Sequence, residues 1–172
     1  MRAFIALELP TDFADDVAAM ARRLSASLDG RFLDRSTYHL TLAFLGDIDD
    51  AEASRAMDAL DAACAGSASA LLASDSLGKF GRPADATLWL GIAPDPALAT
   101  LAERVREELA ARDVPFDPKP FRPHITLGRR VHIPKKPLPA QAQTVTLFKS
   151  TLSRDGAEYK PLYTVELAEP NL

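Results

Sequence analysis

The chain holds one cysteine, Cys64, and no second to bridge it. An intramolecular disulfide framework is thereby excluded, and a reducing cytoplasm is the expected compartment. Cys64 lies in an Ala-rich segment and reads as inert packing. No apolar run approaches the length of a membrane span. The apolar opening "MRAFIALELP" is interrupted by Glu8 and Pro10 with no small-residue cleavage site after it, so it reads as a strand and not as a secretory signal. An excess of basic residues is also lacking. Lys and Arg number 20 against 24 Asp and Glu, a formal net charge of −4, which argues against a protein that wraps long nucleic acid through many phosphate contacts. No linker divides the sequence. With 172 residues, 47% hydrophobic and 26% charged, the expectation is one soluble globular domain over 1–172, working as a monomer without a membrane partner.

Several chemistries lack their residues. Neither a P-loop nor a dinucleotide fingerprint is present. Ser36 and Ser150 stand in no nucleophile-elbow context. No histidine has a second zinc ligand at the usual spacing, and His132, past two arginines beside a proline-rich loop, reads as a surface or packing residue, so no metal site and no cofactor are expected.

Charge is unevenly distributed. Residues 1–118 hold 11 basic and 20 acidic side chains, whereas residues 119–172 hold 9 basic and 4 acidic ones. Between Lys119 and Lys136 there are six basic residues and no acidic one, and His124 lies among them. Such a cluster suits a small anionic group such as one phosphate.

Periodicity predicts a strand over 2–9, then a helix over 12–28 with Phe13, Val17, Met20, Leu24 and Leu28 inward and Thr11 as N-cap. A short strand near 31–33, a strand over 38–45 and a helix over 50–65 follow, the last with Met57, Leu60 and Cys64 inward. Strands are expected at 69–77 and 85–92, joined by a loop carrying "GKFGRP". Asp95 followed by Pro96 opens a helix to Arg112. Strands at 122–131, 142–153 and 158–168 complete the chain, the last two joined through Asp155-Gly156.

Two segments repeat. His39-Leu40-Thr41-Leu42 matches His124-Ile125-Thr126-Leu127 at an offset of 85, and at the same offset Phe4 falls on Trp89, Ile5 on Leu90 and Leu7 on Ile92. Both copies run strand, helix, short extended piece, His-x-Thr. On a strand His and Thr share one face while the apolar residues share the other. One such pair alone reads as structural; a duplicated strand-helix-strand unit about a pseudo-two-fold axis makes a joint site the better reading.

Two imidazoles facing one cleft, each with a hydroxyl on the same strand face, suit in-line displacement at phosphorus. One neutral histidine takes a proton from the attacking oxygen and one protonated histidine gives a proton to the leaving oxygen. An ordinary histidine reaches both states near neutral pH. The threonine hydroxyls can hold non-bridging oxygens.

With both motifs in their flanks, "RAFIALELP", "YHLTLAFLGDI", "FRPHITLGRR" and "LFKSTLSRDGAEYKPLY", the chain resembles the 2H phosphoesterase superfamily, and within it the LigT-like RNA 2',3'-cyclic phosphodiesterases once named 2'-5' RNA ligases. The resemblance covers nearly the full length. It implies an α+β, bilobal, pseudo-two-fold duplicated fold, with two antiparallel sheets around a central groove and helices outside. The implied partner is an RNA 3' end bearing a 2',3'-cyclic phosphate, opened to a 2'-phosphate without metal. Carried over, His39 would be the proton donor to the departing 3'-oxygen, His124 the acceptor that activates water, and Thr41 and Thr126 the holders of phosphate oxygens. The resemblance also implies Arg129 as a phosphate ligand, whereas strict strand alternation favours Arg130, a conflict that a bulge at Gly128 would resolve. Phe4 and Trp89 either stack on a base or pack beneath the motifs, and packing is the preferred reading. Tyr159 matches a family position to which no role is assigned. The alternatives are an RNA ligase or RNA-end binding module, and a phosphodiesterase for a small cyclic phosphate metabolite.

Overall fold

A computed structural model describes residues 1–26, 30–81, 86–128 and 140–168. The first β-α-β unit is β1 (Arg2–Glu8), α1 (Thr11–Ser25) and β2 (His39–Asp47). Its counterpart in the second half is β5 (Thr87–Ile92), α3 (Pro96–Ala111) and β6 (His124–Gly128). Between the units lie α2 (Asp50–Cys64), β3 (Ala70–Leu72) and β4 (Ser74–Phe80), and after the second come β7 (Ala140–Ala142), β8 (Thr144–Ser153) and β9 (Gly156–Glu166).

Seven strands form one antiparallel sheet in the order β4-β5-β6-β2-β1-β8-β9, and β3 pairs with β7 in a small second sheet. The two sheets expected around the groove are thus the two halves of the large one. They join where β2 meets β6, through a single register pair, Leu40↔Ile125. These two residues are equivalents at the offset of 85, so the pseudo-two-fold axis passes between them. β5 flanks β6 as β1 flanks β2.

Alternation along the two central strands decides the layers. Leu40, Leu42, Ile125 and Leu127 are buried, while His39, Thr41, His124 and Thr126 are half-buried on the opposite face. The buried side joins Phe13, Val17, Met20 and Leu24 of α1, Leu60 and Cys64 of α2, and Leu98, Leu101, Val105 and Leu109 of α3 in one continuous core. Burial pushes the Cys64 thiol up to about 11, which keeps it protonated. Met57 is only partly buried against this core.

Several boundaries differ from the sequence expectation for local reasons. Pro10, at φ −54° and ψ 143°, is the N-cap of α1 and no side chain caps it. Only Leu9 and Pro10 link β1 to α1, so Thr11 is already helical. Asp95 caps α3 as expected, accepting from the Leu98 N–H at 2.9 Å. Residues 31–33 form no strand. Leu33 donates one strand-like bond to the Leu127 carbonyl at 2.9 Å, and the chain then turns into a 3-10 helix over Arg35–Thr37 capped by Asp34. The expected strand over 69–77 divides at Ala73 because β3 finds its partner in β7, 70 residues away in sequence. Phe80, expected in a loop, ends β4 opposite Thr87. Leu28 lies outside the described residues.

Gly128 closes β6 at φ +147°, and a Cβ there would come within 2.7 Å of the Arg31 carbonyl and 2.8 Å of the Phe32 Cα. Both neighbours are backbone. Gly128→Ala is therefore expected to destabilise the protein by more than about 1 kcal/mol, seen as a lowered urea midpoint. An unchanged midpoint would show that residues 31–33 do not press on β6.

Candidate active site

Antiparallel pairing about Leu40↔Ile125 sets His39 beside Thr126 and Thr41 beside His124, all four on the face away from the helices. The two imidazoles are then diagonal neighbours across adjacent strands, a spacing of roughly 7–8 Å between backbone positions. Each ring is fixed in the same way. Nδ1 of His39 donates to the Thr37 carbonyl at 2.7 Å, and Nδ1 of His124 donates to the Arg122 carbonyl at 2.5 Å. A carbonyl only accepts, so the proton is on Nδ1 and Nε2 is left for chemistry. The two carbonyls are themselves equivalents at the offset of 85.

Aromatic rings bed both imidazoles. Phe4 lies 4.7 Å from His39, Tyr159 stands edge-on to it at 5.3 Å, and Phe148 stacks on Phe4 at 5.3 Å. On the other side Trp89 lies 5.9 Å from His124 and Phe80 meets it edge-on at 5.1 Å. Phe4 and Trp89 thus occupy matching places beneath the motifs, in agreement with the packing reading. Phe4 is buried and Trp89 half-buried. The Trp89 indole N–H is buried with no hydrogen-bond partner, so packing holds this ring. Gly78 makes that packing possible: a Cβ there would lie 2.2 Å from the indole.

Burial holds the His39 imidazole below its ordinary value of 6.5; the bond to Thr37 opposes this, and the charge of His124 adds to the lowering. A doubly protonated pair is thereby disfavoured. The hydroxyls of Thr41 and Thr126 make no hydrogen bond among the described residues and face the groove. A cavity of about 590 Å³ opens beside Thr41 and His124, walled by Phe44, Phe80 and Phe121. A second, of about 390 Å³, opens beside Thr126 and Arg31. Phe44 reaches this face because β2 carries a bulge between Thr41 and Ala43 that restarts the alternation.

Of the residues singled out in the sequence, His39, Thr41, His124 and Thr126 come together. Arg129, Arg130 and His132 lie outside the described residues. Sequence reasoning missed Arg31, Phe80 and the place of Tyr159. For Tyr159 a signal existed: counted along β9, it is the partner of Ser150, two positions beyond Phe148 on the same face of β8. Among the described residues no three His, Cys, Asp or Glu side chains gather at one point.

The profile of the 2'-5' RNA ligase superfamily matches residues 10–158. The chain belongs to this family. It is 33% identical over 178 residues to an RNA 2',3'-cyclic phosphodiesterase of Geobacillus stearothermophilus, covering 98% of this chain but 57% of that protein. It is 32% identical over 168 residues to the Escherichia coli K12 protein of the same name, covering 94% and 93% of the two chains. The chain therefore spans little more than half of the first relative and nearly all of the second. Among solved structures, E. coli LigT complexed with NADP+ matches with a TM-score of 0.78 at 28% identity, over 96% of both chains. The antiparallel α+β architecture with outer helices is that of this family.

The sign of the His39 shift is testable. Across an NMR titration His39 is expected to change charge below pH 6.5, and His124→Ala to raise that midpoint because the opposing cation is gone. The unfolded chain takes up this proton near 6.5 and the folded chain only at lower pH, so folding stability falls as pH drops below 6.5. A His39 midpoint at or above 6.5 would overturn the burial argument.

Proposed function

We propose that this chain hydrolyses the 2',3'-cyclic phosphate at an RNA 3' end, leaving a 2'-phosphate and a free 3'-hydroxyl, with two histidines and no metal. One observation carries the reading: two imidazoles related by the pseudo-two-fold axis, each anchored through Nδ1 so that Nε2 is free on one face. Relatives named RNA 2',3'-cyclic phosphodiesterase support the substrate class.

In this reading water approaches phosphorus in line with the 3'-oxygen. Nε2 of His124 takes the proton of water as the new P–O bond forms. The P–O3' bond breaks, and Nε2 of His39 delivers its proton to the departing oxygen. Thr41 and Thr126 donate to the non-bridging oxygens, whose charge rearranges in the transition state. Arg129 adds charge stabilisation from beyond β6. A buried donor with a lowered pKa gives up its proton readily, and the bound phosphate's negative charge loads it by favouring the protonated ring. The enzyme works as a cytoplasmic monomer without a cofactor. Ligation would use the same groups in the same direction, a 5'-hydroxyl attacking in place of water as the P–O3' bond breaks, and the name of the matching family keeps this ligase reading as the alternative.

His39→Ala and His124→Ala are each expected to lower kcat on a nucleoside 2',3'-cyclic phosphate by about 10²–10⁴-fold, with unchanged thermal unfolding, and chelator is expected to leave the wild-type rate intact. Full activity in either variant overturns the proposal. The pH profile tests the roles separately. As donor, His39 must be protonated, so kcat/KM is expected to fall on the alkaline side with a midpoint below 6.5. An acid-side limb below 6.5 in its place would reverse the two roles.

A further inference from the structure

The two cavities on the groove differ in a way that the reacting phosphate alone does not explain. The larger is lined by Arg106, Asp117, Lys119 and Arg122, and two of these charges are paired with each other. Arg106 donates to the carbonyls of Leu42 and Lys119, and Lys119 pairs with Asp117 at 2.9 Å. Three phenylalanines form its walls. Among the described residues, the lining of the smaller cavity holds no aromatic and no acidic side chain, and Leu33, Leu152 and Ala157 form its apolar part. It carries instead a guanidinium, Arg31, with the hydroxyls of Thr87 and Thr126. Neither hydroxyl makes a hydrogen bond among the described residues.

Arg31 is held from behind. One terminal nitrogen donates to the Asp155 carbonyl at 2.5 Å, at the turn between β8 and β9. The guanidinium lies over Gly156 so closely that a Cβ there would come within 2.7 Å of it. At the other end, the Arg31 carbonyl abuts Gly128. Among the described residues no carboxylate pairs with Arg31. A guanidinium offers five N–H donors, and among the described residues a single one is engaged. An anchored cation with spare donors, beside two hydroxyls that are free and with no carboxylate paired to it among the described residues, has the chemistry of a phosphate site. Since Thr126 lines this cavity and also stands beside His39, the site adjoins the reacting centre.

We propose that Arg31 and Thr87 form a second phosphate subsite, which takes the phosphate on the 5' side of the terminal nucleotide and so makes the chain prefer an RNA strand end to a mononucleoside cyclic phosphate. The inference rests on the reading of the histidine pair as a cyclic phosphodiesterase site. It accounts for the placement of an anchored guanidinium and two hydroxyls beside the Thr126 end of the histidine pair.

The test compares two substrates that differ by one group, a nucleoside 2',3'-cyclic phosphate with and without a 5'-phosphate. The wild-type chain is expected to favour the 5'-phosphorylated form in kcat/KM by about tenfold, the size of one charge-assisted contact. Arg31→Gln is expected to bring the ratio close to one, Thr87→Val to lower it, and Arg31→Lys to restore part of it. Rising salt should reduce the ratio in the wild type and leave it unchanged in Arg31→Gln. No wild-type preference, an unchanged ratio in Arg31→Gln, or an equal loss on both substrates overturns the subsite; the last assigns Arg31 to the reacting phosphate or to the hairpin. Calorimetric binding of a nucleoside 2',5'-bisphosphate against the 2'-monophosphate reads the same ratio without turnover. If cyclic phosphates are not hydrolysed at all, the functional reading fails by itself, and the subsite stands or falls on that binding ratio.

Discussion

Everything on the groove depends on the register of two strands at one point, the pairing of Leu40 with Ile125. A slip of one residue in either strand would turn its histidine and threonine into the core and bring leucine or isoleucine onto the groove. What prevents the slip lies on the other face. Leu40, Leu42, Ile125 and Leu127 are fully buried against the helices, and each such side chain contributes about 1.5–3 kcal/mol relative to exposure. Apolar packing against α1, α2 and α3 therefore sets the geometry of a polar site it never touches.

The second layer of control is local. Each imidazole is oriented by a carbonyl two residues earlier in its own chain, in the extended piece that enters the strand. Orientation and tautomer thus come from the segment itself and need no carboxylate partner. Rings beneath and beside the imidazoles limit their remaining freedom. The same surroundings remove water from His39, so one arrangement positions that ring and also lowers its proton affinity.

The sequence made legible what repeats or alternates. The helices were readable because Phe13, Val17, Met20 and Leu24, and likewise Leu98, Leu101, Val105 and Leu109, fall on one stripe with a clear start at Asp95 for the latter. The site was readable because His-x-Thr occurs twice at one offset. The pairing of β3 with β7 was not, since nothing local in Ala70–Leu72 names a partner 70 residues away. Nor was Phe80 in β4, where Gly78 resembled a loop signal but serves to admit the Trp89 ring. Arg31 escaped notice because its place is set by a backbone carbonyl 124 residues later, at Asp155.

Duplication delivers two equivalent imidazoles, yet the proposed displacement at phosphorus needs them to act in opposite senses. The halves must therefore differ around a shared frame. Phe4 becomes Trp89 at the same offset, Phe44 becomes Arg129, and opposite those rings Phe148 of β8 is answered by Gly78 of β4. Among the described residues His39 has three aromatic neighbours and His124 two, so the two rings are bedded differently. The symmetry of the backbone brings the imidazoles to one place, and the asymmetry of the side chains gives each different neighbours, with burial lowering the proton affinity of His39. The proposed in-line proton transfer draws on both, because each half of the molecule contributes one imidazole.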